Sequence, residues 1–171
     1  MDFRELASTR CSIRSYDTSR TVSDDTLLQV LDAGRMAPSA KNLQPWKFHV
    51  VRSPGMLEKL HACYPGEWLR SAPCILAVSG KRSAAWVRRR DGYNSLETDL
   101  AIVMDHLVLA ATAQGLGTCW VAAFDPAMLR DALRLEPEDE IFAFTPIGYA
   151  AQGAVTVPKN RKPLDEMIVF L

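Results

Sequence analysis

The chain lacks an excess of charge of either sign: its 171 residues carry 20 Lys and Arg against 20 Asp and Glu, a formal net charge of zero. Nucleic acids and anionic membranes are bound through an excess of cations, so the balance argues against both as partners. Histidine is scarce, and the four cysteines (Cys11, Cys63, Cys74, Cys119) stand far apart, with no CxxC spacing and no adjoining histidine pair. Zinc sites and disulfide frameworks need clustered or regularly spaced ligands, so neither is expected, and reduced thiols in a cytoplasmic protein fit the pattern. No apolar run reaches the length of a membrane span, and no secretory hydrophobic segment opens the chain. Repeats and low-complexity stretches are missing too. What is present, 48% hydrophobic and 23% charged residues, is the make-up of a globular protein, with one domain over residues 1–171 as the expectation.

Periodicity and capping residues order the chain into alternating helices and strands. Asp2 caps a short helix with Phe3, Leu6 and Ala7 on one face. Ser23, followed by Asp24 and Asp25, starts a second helix with Leu27, Leu28 and Leu31 as its apolar stripe, ending around Gly34 to Met36. Lys47 to Arg52 reads as a strand, and Ser53-Pro54 restarts a helix carrying Leu57 and Leu60. The continuous apolar run Pro73 to Ser79 is expected of a strand buried on both faces. Gly80 to Ser95 admits two readings, a mobile segment over a site or a solvated helix. Its Arg88-Arg89-Arg90 run is either a solvated face or a site for an anion. The longest helical pattern begins at Thr98 or Asp99, runs to Ala113 with apolar residues over most of its circumference, and stops at Gly115-Leu116-Gly117. Thr118 to Phe124 reads as a strand, Asp125-Pro126 starts a further helix, and Ile141 to Tyr149 reads as the last strand.

Three segments carry chemistry. In Met36 to Trp46, two prolines bracket Ser39, Asn42 and Gln44, so a loop of fixed path presents a hydroxyl and two primary amides. A primary amide both donates and accepts, which suits the edge of a flat heterocycle with alternating N–H and C=O groups. The same loop is equally a rigid turn whose amides cap its own backbone. Near the N-terminus Arg10, Ser12 and Arg14 alternate, and in an extended segment alternation sets all three on one side. Lys159 and Arg161 alternate likewise in the tail. Four cations from two distant segments can converge on one dianion, arginine being suited to bidentate phosphate contacts; otherwise they are a polar strand edge and a basic tail facing solvent.

Taken in order, these motifs resemble the FMN-dependent nitroreductase family over nearly the whole chain. They are Arg-x-Ser-x-Arg (Arg10 to Arg14), Ala-Pro-Ser-x-x-Asn-x-Gln-Pro-Trp (Ala37 to Trp46), Gly-Leu-Gly-Thr-Cys-Trp (Gly115 to Trp120) and Pro-Lys-x-Arg (Pro158 to Arg161). The resemblance implies an α+β fold, a three-layer α/β/α sandwich with a central, mostly antiparallel sheet and a C-terminal segment exchanged across a homodimer. It implies FMN at the interface, with Arg10, Lys159 and Arg161 on the phosphate and Ser12 adding a hydroxyl. Arg14 then lies near the flavin N1/O2 edge, where a cation stabilises the charge left after hydride arrives. Asn42 and Gln44 address the pyrimidine edge of their own subunit's flavin, Pro38 and Ser39 reach the partner's, and Ala122 and Ala123 offer backbone N–H groups toward N5 and O4.

The implied activity is ping-pong transfer of hydride from NAD(P)H through flavin N5 to a flat acceptor such as a nitroaromatic or quinone, with no side-chain acid or base. Three departures from the family pattern stand out. Cys11 replaces a basic or imidazole residue, Tyr64 to Ala72 offers no Asn and Lys pair, and Gly80 to Thr98 is too short for large gating helices, so an open pocket is expected. Reductive dehalogenation, found in some relatives, needs a lid acid four residues before a tyrosine, and here Arg89 stands four before Tyr93. A flavin carrier or redox sensor without turnover is the reading from another class.

Overall fold

The sheet is built around a strand with no polar face. In the computed structural model, which describes residues 2–171, β2 (Cys74–Lys81) is buried at every residue but its last. It pairs antiparallel with β1 (Trp46–Val51) on one side and β4 (Asp139–Gly148) on the other. The short β3 (Gly117–Thr118) pairs antiparallel with the far edge of β4, giving the order β1-β2-β4-β3. Alternation along β2 sends Cys74, Leu76 and Val78 into one apolar cluster and Ile75 and Ala77 into another. The first is closed by α2 (Asp24–Arg35) and α4 (Leu96–Ala113), the second by α3 (Pro54–Ala62) and α5 (Pro126–Leu133). The three-layer α/β/α sandwich expected above is the observed architecture.

A bulge keeps β4 in step with both layers. Val78 faces Ala143 but Ser79 faces Ile141, so Phe142 has no opposite residue. One extra residue reverses the faces before it. Ala143 therefore enters the α2/α4 cluster while Ile141 packs against the other.

Helix starts follow the capping residues. The side chain of Asp2 accepts from Glu5 N at 2.8 Å to open α1 (Phe3–Thr9), Ser23 accepts from Thr26 N to open α2, and Asp125 accepts from two N–H groups to open α5. In α2 the buried stripe is Leu27, Val30 and Gly34, and Leu28, expected inside, is exposed; a turn of 3.6 residues swings it off the inner face. Gly34 is needed there, because a Cβ would stand 2.5 Å from Leu107 of α4. Helix α4 starts earlier than Thr98, since Asn94 Oδ1 accepts from Leu96 N at 3.0 Å.

Two connections differ from the sequence reading. Residues 82–95 form a single 3-10 turn (Arg82–Ala84) followed by a tight hairpin closed by the Val87–Asn94 bridge, not the longer solvated helix that is one of the two readings. The strand expected from Thr118 to Phe124 is ladder only at Gly117–Thr118, plus a single Val121–Phe144 bridge. There Cys119 N turns aside to the Thr145 hydroxyl. The N-terminal segment lies beside β3, with Ile13 N donating to Thr118 O at 2.8 Å. The tail from Val155 onward is exposed except for a half-buried Lys159, and Phe170 keeps 92% of its surface in solvent.

At the seam between β2 and the loop before β1, a Cβ on Gly80 would lie 2.2 Å from the Pro45 carbonyl and 2.8 Å from Leu96 Cδ1. A backbone oxygen cannot yield without shifting β1, so Gly80→Ala is expected to cost about 1–3 kcal/mol. Chemical denaturation reads this as a lower midpoint; an unchanged midpoint contradicts the packing.

Candidate functional site

The alternating N-terminal segment and the tail meet in one cavity. Arg10, Cys11, Ser12 and Arg14 form one wall and Val157, Pro158, Lys159 and Arg161 the other, around about 320 Å³. The tail is fastened there because Lys159 Nζ donates to the carbonyls of Ala7 and Ser8 at the C-terminal end of α1. Partial burial, and then the neighbouring Arg10 and Arg161, push the Lys159 ammonium below its ordinary pKa. Among the described residues, none of these four cations has a carboxylate partner, whereas Arg70 and Arg82 each have two. Like charges held together without a counter-charge make a site for a multiply charged anion.

Arg14 is placed by aromatic packing: its guanidinium carbon lies 5.9 Å from the centroid of the Trp68 ring, which meets Tyr64 edge-on. The Cys119 thiol is buried beside Ser12 and Arg14. Burial raises its pKa despite those neighbours, so it stays a neutral thiol rather than a nucleophile. Arg70, in the stretch between α3 and β2, is committed to Glu58 and Glu67 and leaves that stretch without a free cation.

From Thr118, level with Ser12, the chain runs about 13 Å to Ala122 if extended. Ala122 and Ala123 are exposed, and their backbone N–H groups donate to no acceptor among the described residues. Two free donors thus follow a few residues after Thr118, the residue bridged to Ser12 of the cavity. The half-exposed Trp120 and Phe142 meet edge-on at 5.9 Å beside them.

The amide loop lies elsewhere. Three non-glycine residues within it, Lys41, Asn42 and Gln44, adopt φ of 53°, 55° and 49°, a conformation costing about 1–2 kcal/mol per residue for ordinary side chains and less for Asn. The loop is held in this path by its own polar groups and by one buried carboxylate. Gln44 N donates to Ser39 Oγ at 2.9 Å, and Gln44 Nε2 donates to the Asn42 carbonyl and side chain. Asp99, only 2% exposed, accepts from Ala40 N at 3.0 Å and from Ser95 Oγ at 2.7 Å. Asn42 Nδ2 and Gln44 Oε1 are left as one exposed donor and one exposed acceptor.

Two rulers separate the loop from the cation cavity. Helix α4 spans about 21 Å from Asp99, beside the loop, to Ala113, near Gly117 and the Ser12 segment. Along β4, about 23 Å lies between Ile147, opposite Thr118, and Glu140, level with Gly80 and Trp46. Adding the sideways offset across the strands, the two features stand about 30 Å apart. None of Pro38, Ser39, Asn42 and Gln44 lines the cavity. All four sit together at the far end, in the loop held by Asp99.

Sequence reasoning missed Asp99 and Trp68. Asp99 was visible as a carboxylate on an otherwise apolar helix face, which requires a partner for its charge. Trp68 carried no such signal.

An α/β/α sandwich carrying a cavity of cations without carboxylate partners is suited to an anionic ligand. The profile described as the Nitroreductase family matches residues 7–63 and 57–149. The chain belongs to the nitroreductase family. It is 32% identical over 166 residues, 91% of this chain and 81% of the other, to a protein of Methanothermobacter thermautotrophicus assigned as an NADH dehydrogenase/NAD(P)H nitroreductase. Among solved structures, a nitroreductase family protein from Clostridium difficile 630 superposes with a TM-score of 0.89 at 32% identity, covering 99% of this chain and 98% of that one. A protein of Desulfovibrio desulfuricans, assigned as a nitroreductase and solved in complex with FMN, gives 0.83 at 30% identity, covering 98% and 95%.

Asp99→Ala strands the Ala40 N–H and the Ser95 hydroxyl, at a cost of about 1–3 kcal/mol. The expected result is a lower denaturation midpoint with faster amide hydrogen exchange at Ala40 and Asn42. Unchanged exchange there contradicts the role given to the carboxylate.

Proposed function

We propose that the protein is a homodimeric oxidoreductase with FMN bound at each end of the dimer interface, using NAD(P)H as donor. The observation that carries the reading is the cavity of cations without carboxylate partners, flanked by the segment that leads from Thr118 to the free N–H groups of Ala122 and Ala123. That donor set fits a phosphate at one end and the acceptor atoms of a flat ring at the other. The chemistry such a cofactor supplies is acceptance of hydride from NAD(P)H and its delivery to a flat acceptor, a nitroaromatic or a quinone.

Each chain element then has a role. Arg10, Lys159 and Arg161 hold the phosphate with charge-assisted contacts, and Ser12 adds a hydroxyl. A phosphate dianion also relieves the repulsion that lowers the Lys159 pKa. Arg14, steadied by Trp68, would supply a cation to the ring's pyrimidine side, where it would favour negative charge. Ala122 and Ala123 orient the ring through backbone donors, so their side chains need only be small. No histidine takes part: His49 bonds to Ser79, His106 to the Ile102 carbonyl, and His61 is buried.

The amide loop supports a dimer. A separation of about 30 Å exceeds the length of one FMN, so a loop that grips the ring serves the site of a second copy. The loop's Pro38, Ser39, Asn42 and Gln44 complete that site together. The exposed apolar tail, Leu164 to Leu171, finds no cover on its own chain and supports the same assembly by crossing to the partner.

The chain is also 26% identical to iodotyrosine deiodinase 1 of Rattus norvegicus over 205 residues, 98% of this chain and 69% of that protein. Dehalogenation draws no support from the site: Tyr93 is bonded to Thr98 and lies under Arg88, and Arg89 occupies the position of a lid acid.

Anaerobic addition of NADH or NADPH to the flavin-loaded protein should bleach the flavin absorbance, and a nitroaromatic or quinone should restore it. If neither nucleotide bleaches it, the protein is a flavin carrier or sensor and the reductase reading fails.

A further inference from the structure

The Arg88-Arg89-Arg90 run is divided in two by the fold. Its hairpin is tightly built: Arg88 N donates to Tyr93 O, Gly92 N to Arg88 O, Asn94 Nδ2 to Arg82 O and Ser95 N to Trp86 O, all at 2.8–2.9 Å. Gly92, at φ 74°, makes the turn that closes it. Arg88 is part of this frame, with two bonds to Asp91 at 2.8 and 2.7 Å and a stack on Tyr93 at 4.9 Å. The acids near the base, Glu97 and Glu140, are both taken by Arg82. Arg89 and Arg90 are therefore left at an ordered tip, exposed and with no partner among the described residues.

Position gives the pair a meaning. The hairpin ends at Ser95, whose hydroxyl bonds to Asp99, and Asp99 also holds the amide loop through Ala40. The base of the hairpin and the loop thus share one anchor, and the tip lies only a few residues beyond that base. If the loop reaches the ring of a second copy's site, the hairpin stands at the rim of that site. In a chain of zero net charge, an unbalanced arginine pair on a fixed turn concentrates positive potential there.

We propose that Arg89 and Arg90 are specificity-determining residues that select electron acceptors bearing a carboxylate or similar anionic group; this rests on the function proposed above. Guanidinium groups make directional, bidentate contacts with carboxylates, while Arg88, tied to Asp91, keeps the turn in shape.

The test uses flavin-loaded protein, wild type and the Arg89→Gln/Arg90→Gln double variant, with NADH and either para-nitrobenzoate or its neutral analogue para-nitrobenzamide. Two exposed contacts predict a loss on the order of tenfold in kcat/KM for the carboxylate. Turnover of the amide and flavin content should be unchanged, and the wild-type preference should weaken with salt. An equal fall for both acceptors, or none for either, overturns the inference. So does a loss confined to NADPH relative to NADH with the amide as acceptor, which would assign the pair to the donor's phosphate. Wild-type turnover of both acceptors with the variant unaffected on the carboxylate sinks the rim alone, whereas no turnover of either acceptor by the wild type sinks the reductase reading with it.

Discussion

The length of α4 sets the plan of the molecule. One end carries Asp99, and with it the amide loop and the arginine-tipped hairpin. The other leads through Gly115-Leu116-Gly117 to the strand beside Ser12 and the cation cavity. A helix cannot be shortened without losing the apolar face that closes one layer of the core, so the two sets of polar groups are held apart by the residues that stabilise the fold. A ligand needing both must be bound across two copies. Residues that look like one site in a list of motifs stand at two ends of the chain's fold, and on the proposed reading each end is half of a site.

Charge is handled differently at the two kinds of place. At some surface positions the cations are answered locally, Arg82 by Glu97 and Glu140, Arg70 by Glu58 and Glu67. Such exposed pairs add about 0–1 kcal/mol each, but they cancel potential. In the cavity, and at the hairpin tip, the answering acid is withheld. Zero net charge for the whole chain is compatible with two strongly positive places because the compensation lies elsewhere.

What could be read from the sequence was what local rules control. Asp2, Ser23 and Asp125 mark helix starts because a cap needs only residues three positions away. The alternation of Arg10, Ser12 and Arg14 marked residues that line one cavity, although Cys11 lines it too, so a strict period of two is not the whole reason. The apolar run of β2 announced a strand buried on both faces. What could not be read depends on partners far along the chain: Asp99 meets Ala40 across 59 residues, and Lys159 meets Ala7 across 152. The placement of all four amide-loop residues at the far end follows from sheet register and helix length, which no motif encodes. The hairpin at Val87–Asn94 escaped because its strength lies in backbone and polar side-chain hydrogen bonds rather than in an apolar pattern.

The central claim is that each site combines the cation cavity of one copy with the amide loop of another. Complementation between two variants tests it directly. Arg10→Ala/Lys159→Ala disables the cavity and Asn42→Ala/Gln44→Ala the loop, and each alone should bind FMN poorly. After mixing, unfolding and refolding together, a mixed dimer holds one site with both defects and one with neither. About a quarter of the wild-type FMN content and NAD(P)H oxidation should then return, since half of randomly paired dimers are mixed. If the refolded mixture binds no more FMN than the two variants do separately, the cavity and the loop act within one chain, and the account is wrong.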